Sequence, residues 1–161
     1  MDHRISNYYI EHSQAVWRYL YGLCRNADLA DDLTQETFFQ AMKTIHLFRG
    51  ECKPSVWLCQ IGRHVWYKHL KNEKRYETVS IEEFEISVQD DIADQVIRTQ
   101  QYNDVIHRIS ELEVDYKEVL ILRLFNQLSF SEIAIVMGRT ENWARVTFYR
   151  GKEKIRKGDK L

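Results

Sequence analysis

The chain has 161 residues, 23 Lys/Arg against 24 Asp/Glu and 44% aliphatic and aromatic residues, enough apolar material for one packed domain or two small ones. One proline and six glycines favour long helices over a strand-rich fold, and no apolar run approaches the ~18 residues of a membrane span. The charged start, Met1-Asp2-His3-Arg4, leads into no apolar stretch, and Cys24, Cys52 and Cys59 form no disulfide framework, so a cytoplasmic protein without direct membrane insertion is expected.

Periodicity predicts a first helix from Tyr8 to Cys24, with Tyr9, Val16, Leu20 and Leu23 in its apolar stripe and Trp17 and Tyr19 at the margins. Asn26-Ala27-Asp28 reads as a turn and cap. A second helix follows from about Leu29 to Ile45. Ala30, Leu33, Thr34, Thr37, Phe38 and Ala41 fall on one side of it; Asp31, Asp32, Gln35, Glu36 and Gln40 fall on the other. After the short loop Phe48-Arg49-Gly50-Glu51-Cys52-Lys53, Pro54 opens a third helix that runs to about Arg75. Trp57, Leu58, Ile61, Val65 and Leu70 give it a core face. Arg63, Lys68, Lys71, Lys74 and Arg75 make it basic, with His64, Trp66 and Tyr67 interleaved. Charge that tracks a backbone and rings that stack on bases suit single-stranded nucleic acid; the plainer alternative is a core helix with a solvated basic edge.

Residues 77–94 hold seven acids and no Lys or Arg and read as a linker between two helical domains, 1–76 and 95–161. Such a linker permits the domains to be extended or folded together. Helices are expected from about Ala93 to Ile109 and from Asp115 to Phe125, the latter with Val119, Leu120, Leu122 and Leu124 as core.

The last segment reads as helix, tight turn, helix. Ser129 and Glu132 have the spacing of a capping box, and Ile133, Val136 and Met137 form an apolar face. Gly138 can enter the left-handed region that stops a helix, and Thr140 can cap the next one. Ala144, Phe148, Gly151 and Ile155 share the buried face of that helix, which leaves Arg145, Tyr149, Arg150 and Lys152 mostly off it. This is the layout of a helix-turn-helix, whose second helix enters the DNA major groove. Residues 139–161 carry eight Lys/Arg against three acids, as phosphate contact requires.

Signs of catalysis are lacking. The sequence contains no G-x-G-x-x-G, Walker or G-x-S-x-G pattern. Cys52, Cys59, His64 and His69 do not have the short paired spacing of a zinc site. Neither an enzyme nor a cofactor or metal is expected.

Asp32-Leu33-Thr34-Gln35-Glu36-Thr37-Phe38 resembles the D-L-x-Q-E-x-F signature of region 2 in extracytoplasmic-function (ECF) sigma factors. Phe48-Arg49-Gly50, Trp57-Leu58 and Ile61-Gly62-Arg63 follow at that family's spacing. Leu128-Ser129-Phe130-Ser131-Glu132-Ile133-Ala134 is similar to its region 4 pattern, L-S-Y-x-E-I-A. The resemblance implies an all-α protein of two small helical domains that directs RNA polymerase to promoters. By it, Asp32, Gln35 and Glu36 bind the β′ coiled coil of core polymerase. Phe48, Arg49, Arg63, His64, Tyr67, Lys68 and Lys71 meet the separated strand of the −10 element. Thr140, Asn142, Arg145, Tyr149 and Arg150 meet duplex DNA at the −35 element, region 4 also packs on the β-flap, and an anti-sigma protein is a further partner. His64 and Lys68 stand where many members have asparagine and aspartate, Thr147 replaces a common arginine, and Glu141-Asn142-Trp143 replaces the usual helix entry. The rival reading is a conventional helix-turn-helix regulator of duplex DNA; it leaves the Gln35–Glu36 face and the basic, aromatic third helix without a role.

Overall fold

The computed structural model describes residues 3–74 and 104–158. The expected linker at 77–94 and the first part of the helix expected over 93–109 lie outside the described residues. Helix α1 spans His3–Cys24, α2 Ala27–Thr44 with a single 3-10 turn at Ile45–Leu47, and α3 Pro54–Lys74. Residues 104–110 are helical and form α4. They are followed by α5 (Val114–Leu124), α6 (Phe130–Met137) and α7 (Glu141–Gly158). Every regular element among the described residues is helical.

In the first bundle, α1, α2 and α3 pack on one another. The Asn26 side chain accepts the Leu29 N–H at 3.0 Å and fixes the start of α2. Two threonines, Thr34 and Thr37, lie on the buried side of α2. Their hydroxyls donate back to the carbonyls of Ala30 and Leu33 at 2.7 Å, so burial strands neither group. Leu20 and Leu58 are fully buried, each stabilising the bundle by about 1.5–3 kcal/mol through lost apolar exposure. Two positions differ from the periodic reading of α1. The ring of Tyr9 is half exposed, whereas Tyr19, expected at the margin, is fully buried.

The second bundle is built on α5, α6 and α7. Ser129 Oγ accepts the Glu132 N–H at 3.1 Å while the Glu132 carboxylate accepts the Ser129 N–H at 2.8 Å, completing the capping box. Partial burial works against the charge of Glu132, but Ser129 and Lys53 outweigh it and hold the carboxyl below its usual range. Gly138 ends α6 at φ 65°, and Thr140 Oγ1 accepts the Trp143 N–H at 3.1 Å to begin α7. Ala144, Phe148 and Gly151 are buried as the spacing predicts. Leu124 is not: it stands half exposed where α5 ends, and Ile121 takes the fully buried place.

The two bundles touch directly and share one apolar cluster, which runs from Val16 and Leu20 to Ile121 and Leu122. Ile121 packs against Gly22 of α1, so closely that a Cβ on the glycine would lie 2.9 Å from Cδ1. Polar contacts stand around this seam. Asn126 donates to the Ala15 carbonyl at 2.8 Å, Arg25 to the Ser110 hydroxyl at 3.1 Å, and Gln60 to the Ile135 carbonyl at 3.2 Å. Lys53 lies 3.4 Å from Glu132.

Candidate nucleic-acid interface

On α2, Asp32, Gln35 and Glu36 are all exposed, as the polar face of the helix requires. Glu36 accepts a hydrogen bond from Gln40 one turn on, at 2.7 Å. Asp31, beside them, is tied back by the Trp17 indole N–H at 2.8 Å. Asp32 and Glu36 line one groove with His64 and Lys68 of α3, so two sets of site residues from different helices share a wall.

Along α3, His64, Lys68 and Lys71 are exposed, while Arg63, Trp66 and Tyr67 are half-buried. Trp66 packs against the core and stacks on His69, with centroids 5.9 Å apart. Arg49 is exposed in the loop before α3, and its backbone N–H donates to Glu51 at 3.1 Å. Phe48, also in the expected set, is buried. Its ring is 8% exposed and stacks on Trp57 at 4.6 Å, because the loop folds back over the start of α3. It anchors the loop from inside.

Arg63 and Tyr67 meet a residue that the periodic reading left out. Glu118 of α5 is 0% exposed. The Tyr67 hydroxyl donates to its carboxylate at 3.1 Å and the Tyr19 hydroxyl at 3.3 Å. Arg63 Nε and Nη2 lie 3.3 and 3.4 Å from the two carboxylate oxygens. Burial pushes the Glu118 carboxyl above its usual range, against the pull of Arg63 and the two hydroxyls. Burial and the same carboxylate raise Tyr67 to about 12 and Tyr19 well above the ordinary tyrosine value, so both remain donors. A signal was present in the sequence: Glu118 stands three and four residues before Ile121 and Leu122, on the side those residues bury.

On α7 and its cap Thr140, the five expected DNA residues divide between two sides. Thr140, Asn142 and Arg150 line a cleft with Asp115 and Tyr116 of α5. Arg145 and Tyr149 instead lie beside Phe130, with the Arg145 guanidinium 5.4 Å and the Tyr149 ring 6.2 Å from its centroid. Phe130 also receives Arg123 at 4.4 Å and touches Phe148, making it the hub of that side. All five expected residues are exposed.

Residues 8–76 match the family described as Sigma-70 region 2, and residues 102–155 match Sigma-70, region 4. The chain belongs to the ECF sigma factor family. Among curated relatives of this sigma factor, RNA polymerase sigma factor YlaC of Bacillus subtilis is 28% identical over 162 residues, spanning 98% of this chain and 94% of the relative. ECF RNA polymerase sigma factor SigM of the same organism is 25% identical over 94% of this chain and 93% of its own length. In fold, the sigma factor resembles RpoE of Bartonella quintana, solved in complex with the anti-sigma factor NepR, with a TM-score of 0.79, 19% identity and 99% of each chain covered. Both halves of the sigma factor are thus matched, in the order region 2 then region 4. No helix among the described residues of the sigma factor is long and apolar enough to cross a membrane.

Proposed function

We propose that this sigma factor binds core RNA polymerase through the Asp32, Gln35 and Glu36 face of α2, seated on the β′ coiled coil. Residues 1–76 act as the polymerase and −10 unit, and residues 95–161 as the −35 unit, which also packs on the β-flap. Arg49, Arg63, His64, Tyr67, Lys68 and Lys71 meet the separated −10 strand, and Phe48 supports the loop that carries Arg49. Thr140, Asn142, Arg145, Tyr149 and Arg150 meet the −35 duplex. The sigma factor performs no chemistry of its own and works in the cytoplasm, where RNA polymerase acts. A protein anti-sigma factor is its expected antagonist, by analogy with RpoE and NepR.

The observation that carries this reading is the coexistence of three surfaces in one chain, the first and third exposed and the second exposed at His64, Lys68 and Lys71. An acid and amide face lies on α2, a basic and aromatic face on α3, and a basic helix-turn-helix on α7. A regulator of duplex DNA would use the third alone. Transcription with purified core polymerase on a promoter library tests the reading. Promoter-specific transcripts that depend on added sigma factor are expected. A chain that fails to bind core yet protects duplex sites unaided would instead be the conventional regulator.

A further inference from the structure

We infer that Arg139, held over the ring of Trp143 in the turn before α7, grips a backbone phosphate of the −35 duplex, and that Trp143 is its positioning residue. This inference rests on the −35 role given to α7 above.

Arg139 follows Gly138, the left-handed cap of α6, and is exposed. Its backbone N–H donates to the Ala134 carbonyl at 3.0 Å. Four residues on, the Trp143 N–H donates to Thr140 at 3.1 Å, and the Trp143 ring is half-buried against the apolar core. Both residues therefore start from a fixed backbone. The guanidinium carbon of Arg139 lies 5.0 Å from the centre of the Trp143 ring. An arginine over a tryptophan face gains a cation–π attraction and loses rotamer freedom in advance, while the N–H groups in its guanidinium plane still point outward as donors.

Other cations of this half face acids or carbonyls. Arg145 lies 3.0 Å from Glu141, Arg156 lies 3.8 Å from Glu153, and Arg123 donates to the Leu128 carbonyl at 2.9 Å. Arg139 is held by a ring instead, so a phosphate displaces no carboxylate to reach it. Its place also fits a duplex. The first residues of the second helix of a helix-turn-helix reach the base edges, and Arg139 stands just before them. Trp143 lines the cleft with Thr140, Asn142 and Arg150, whereas Glu113 and Asp115 enter it from the α5 side. Those two acids repel a DNA backbone from the α5 wall and leave the α7 side to receive it. Glu141, the nearest acid in sequence, is drawn to Arg145. A phosphate contact here carries no base information; it fixes the register and angle of α7 in the groove.

The test is binding of holoenzyme to a fluorescein-labelled promoter fragment, taken from the transcription assay above, in which single −35 phosphates are replaced by uncharged methylphosphonates. One such replacement should weaken binding by wild type and leave binding by Arg139→Ala unchanged. A phosphate contact adds about 0.9 to the slope of log affinity against log salt, so from about 50 to 200 mM salt the loss of affinity should be about 3.5-fold smaller for Arg139→Ala than for wild type. Arg139→Ala should also weaken all single-base −35 variants alike. Trp143→Leu should blunt the response to the critical methylphosphonate, and Trp143→Phe, which keeps a ring, should retain it. A tryptophan that only fills the core would lower the melting temperature of Trp143→Leu and leave that response intact, which overturns its positioning role. Arg139 is an exposed turn residue, so the comparison with Arg139→Ala stands even if Trp143→Leu does not fold.

If no single methylphosphonate separates wild type from Arg139→Ala while both still sense −35 base changes, the phosphate grip is overturned and the −35 role of α7 survives. Preference relaxed at one base by Arg139→Ala would make that residue a base reader and overturn the grip as well. Wild-type holoenzyme that ignores every −35 base change removes the −35 role itself, and the grip falls with it.

Discussion

The guanidinium of Arg145 lies 3.0 Å from the carboxylate of Glu141, one helical turn nearer the start of α7. An exposed pair at this spacing contributes only about 0.3–0.5 kcal/mol. Its consequence is orientation, because it holds Arg145 on the Phe130 side and away from the cleft that contains Arg150. Arg145→Ala is expected to relax preference at one −35 position, where a bidentate contact to guanine discriminates by about 1–3 kcal/mol. Arg150→Ala should weaken all promoters alike and reduce the salt dependence by about one ion. Transcription from single-base −35 variants at several salt concentrations separates the two. A uniform loss with Arg145→Ala would make that residue a phosphate contact instead.

Much of this helix-turn-helix was legible from the sequence because its signals are local. The Ser129–Glu132 box, the left-handed Gly138 and the Thr140 cap each depend on residues within one turn. The buried sides of α2 and α7 followed from period alone. What the sequence concealed depends on distant partners. Tyr19 reads as marginal on α1 until Glu118, 99 residues away, accepts its hydrogen bond. Gly22 has no local signal on α1; its absent side chain leaves the space that Ile121 fills. Phe48 looked like a loop aromatic available to a strand, yet its stacking on Trp57 follows from the turn that brings the loop over α3. The departures at His64 and Lys68 are exposed on the groove they share with Asp32 and Glu36, where a change of residue type alters recognition without disturbing packing.

Phe48 and Arg49 should part company under mutation. Truncation of a buried aromatic costs about 3–5 kcal/mol, whereas an exposed substitution usually stays within about 0.5 kcal/mol. Phe48→Ala should therefore lower the melting temperature and broaden the loop's proteolytic susceptibility. Arg49→Ala should melt like wild type and lose promoter opening. Equal melts for the two variants would mean that the Phe48 ring is not a structural anchor.

The α2 face makes a separate claim. Gln35 and Glu36 are exposed, so changing both to alanine should leave the helical content and melting temperature nearly unchanged. The double variant should bind core polymerase at least tenfold more weakly, corresponding to about 1.4 kcal/mol. Its binding to a −35 duplex fragment should match wild type. Undiminished affinity for core would remove this face from the polymerase contact.

The buried carboxylate predicts an unusual response to acid. An ordinary ion pair is lost as the acid protonates, so acidification opens it. Glu118 differs because burial raises its carboxyl in the docked state, despite the opposing pull of Arg63 and the Tyr67 and Tyr19 hydroxyls. The docked form therefore takes up a proton more readily than a chain with Glu118 in water. By linkage, closure strengthens as pH falls through the raised value and weakens as pH rises above it. Arg63 is itself raised, and Tyr19 and Tyr67 lie far above neutrality, so none of the three changes charge between pH 5 and 7.5. Glu132, held below the usual carboxylate range, stays largely ionised through the same window. His107 faces Arg25 at 3.0 Å elsewhere on the seam, and His107→Gln removes that imidazole from the comparison. Energy transfer between dyes on cysteines placed at Lys43 and Lys152, with Cys24 and Cys52 changed to serine, reads the closed fraction. In the His107→Gln background the transfer should increase from pH 7.5 to 5. Adding Glu118→Gln, which imitates the protonated acid, should keep it high and flat. If acidification instead lowers the transfer, and Glu118→Gln abolishes that response, attraction to Arg63 outweighs burial and the carboxyl sits below its usual range.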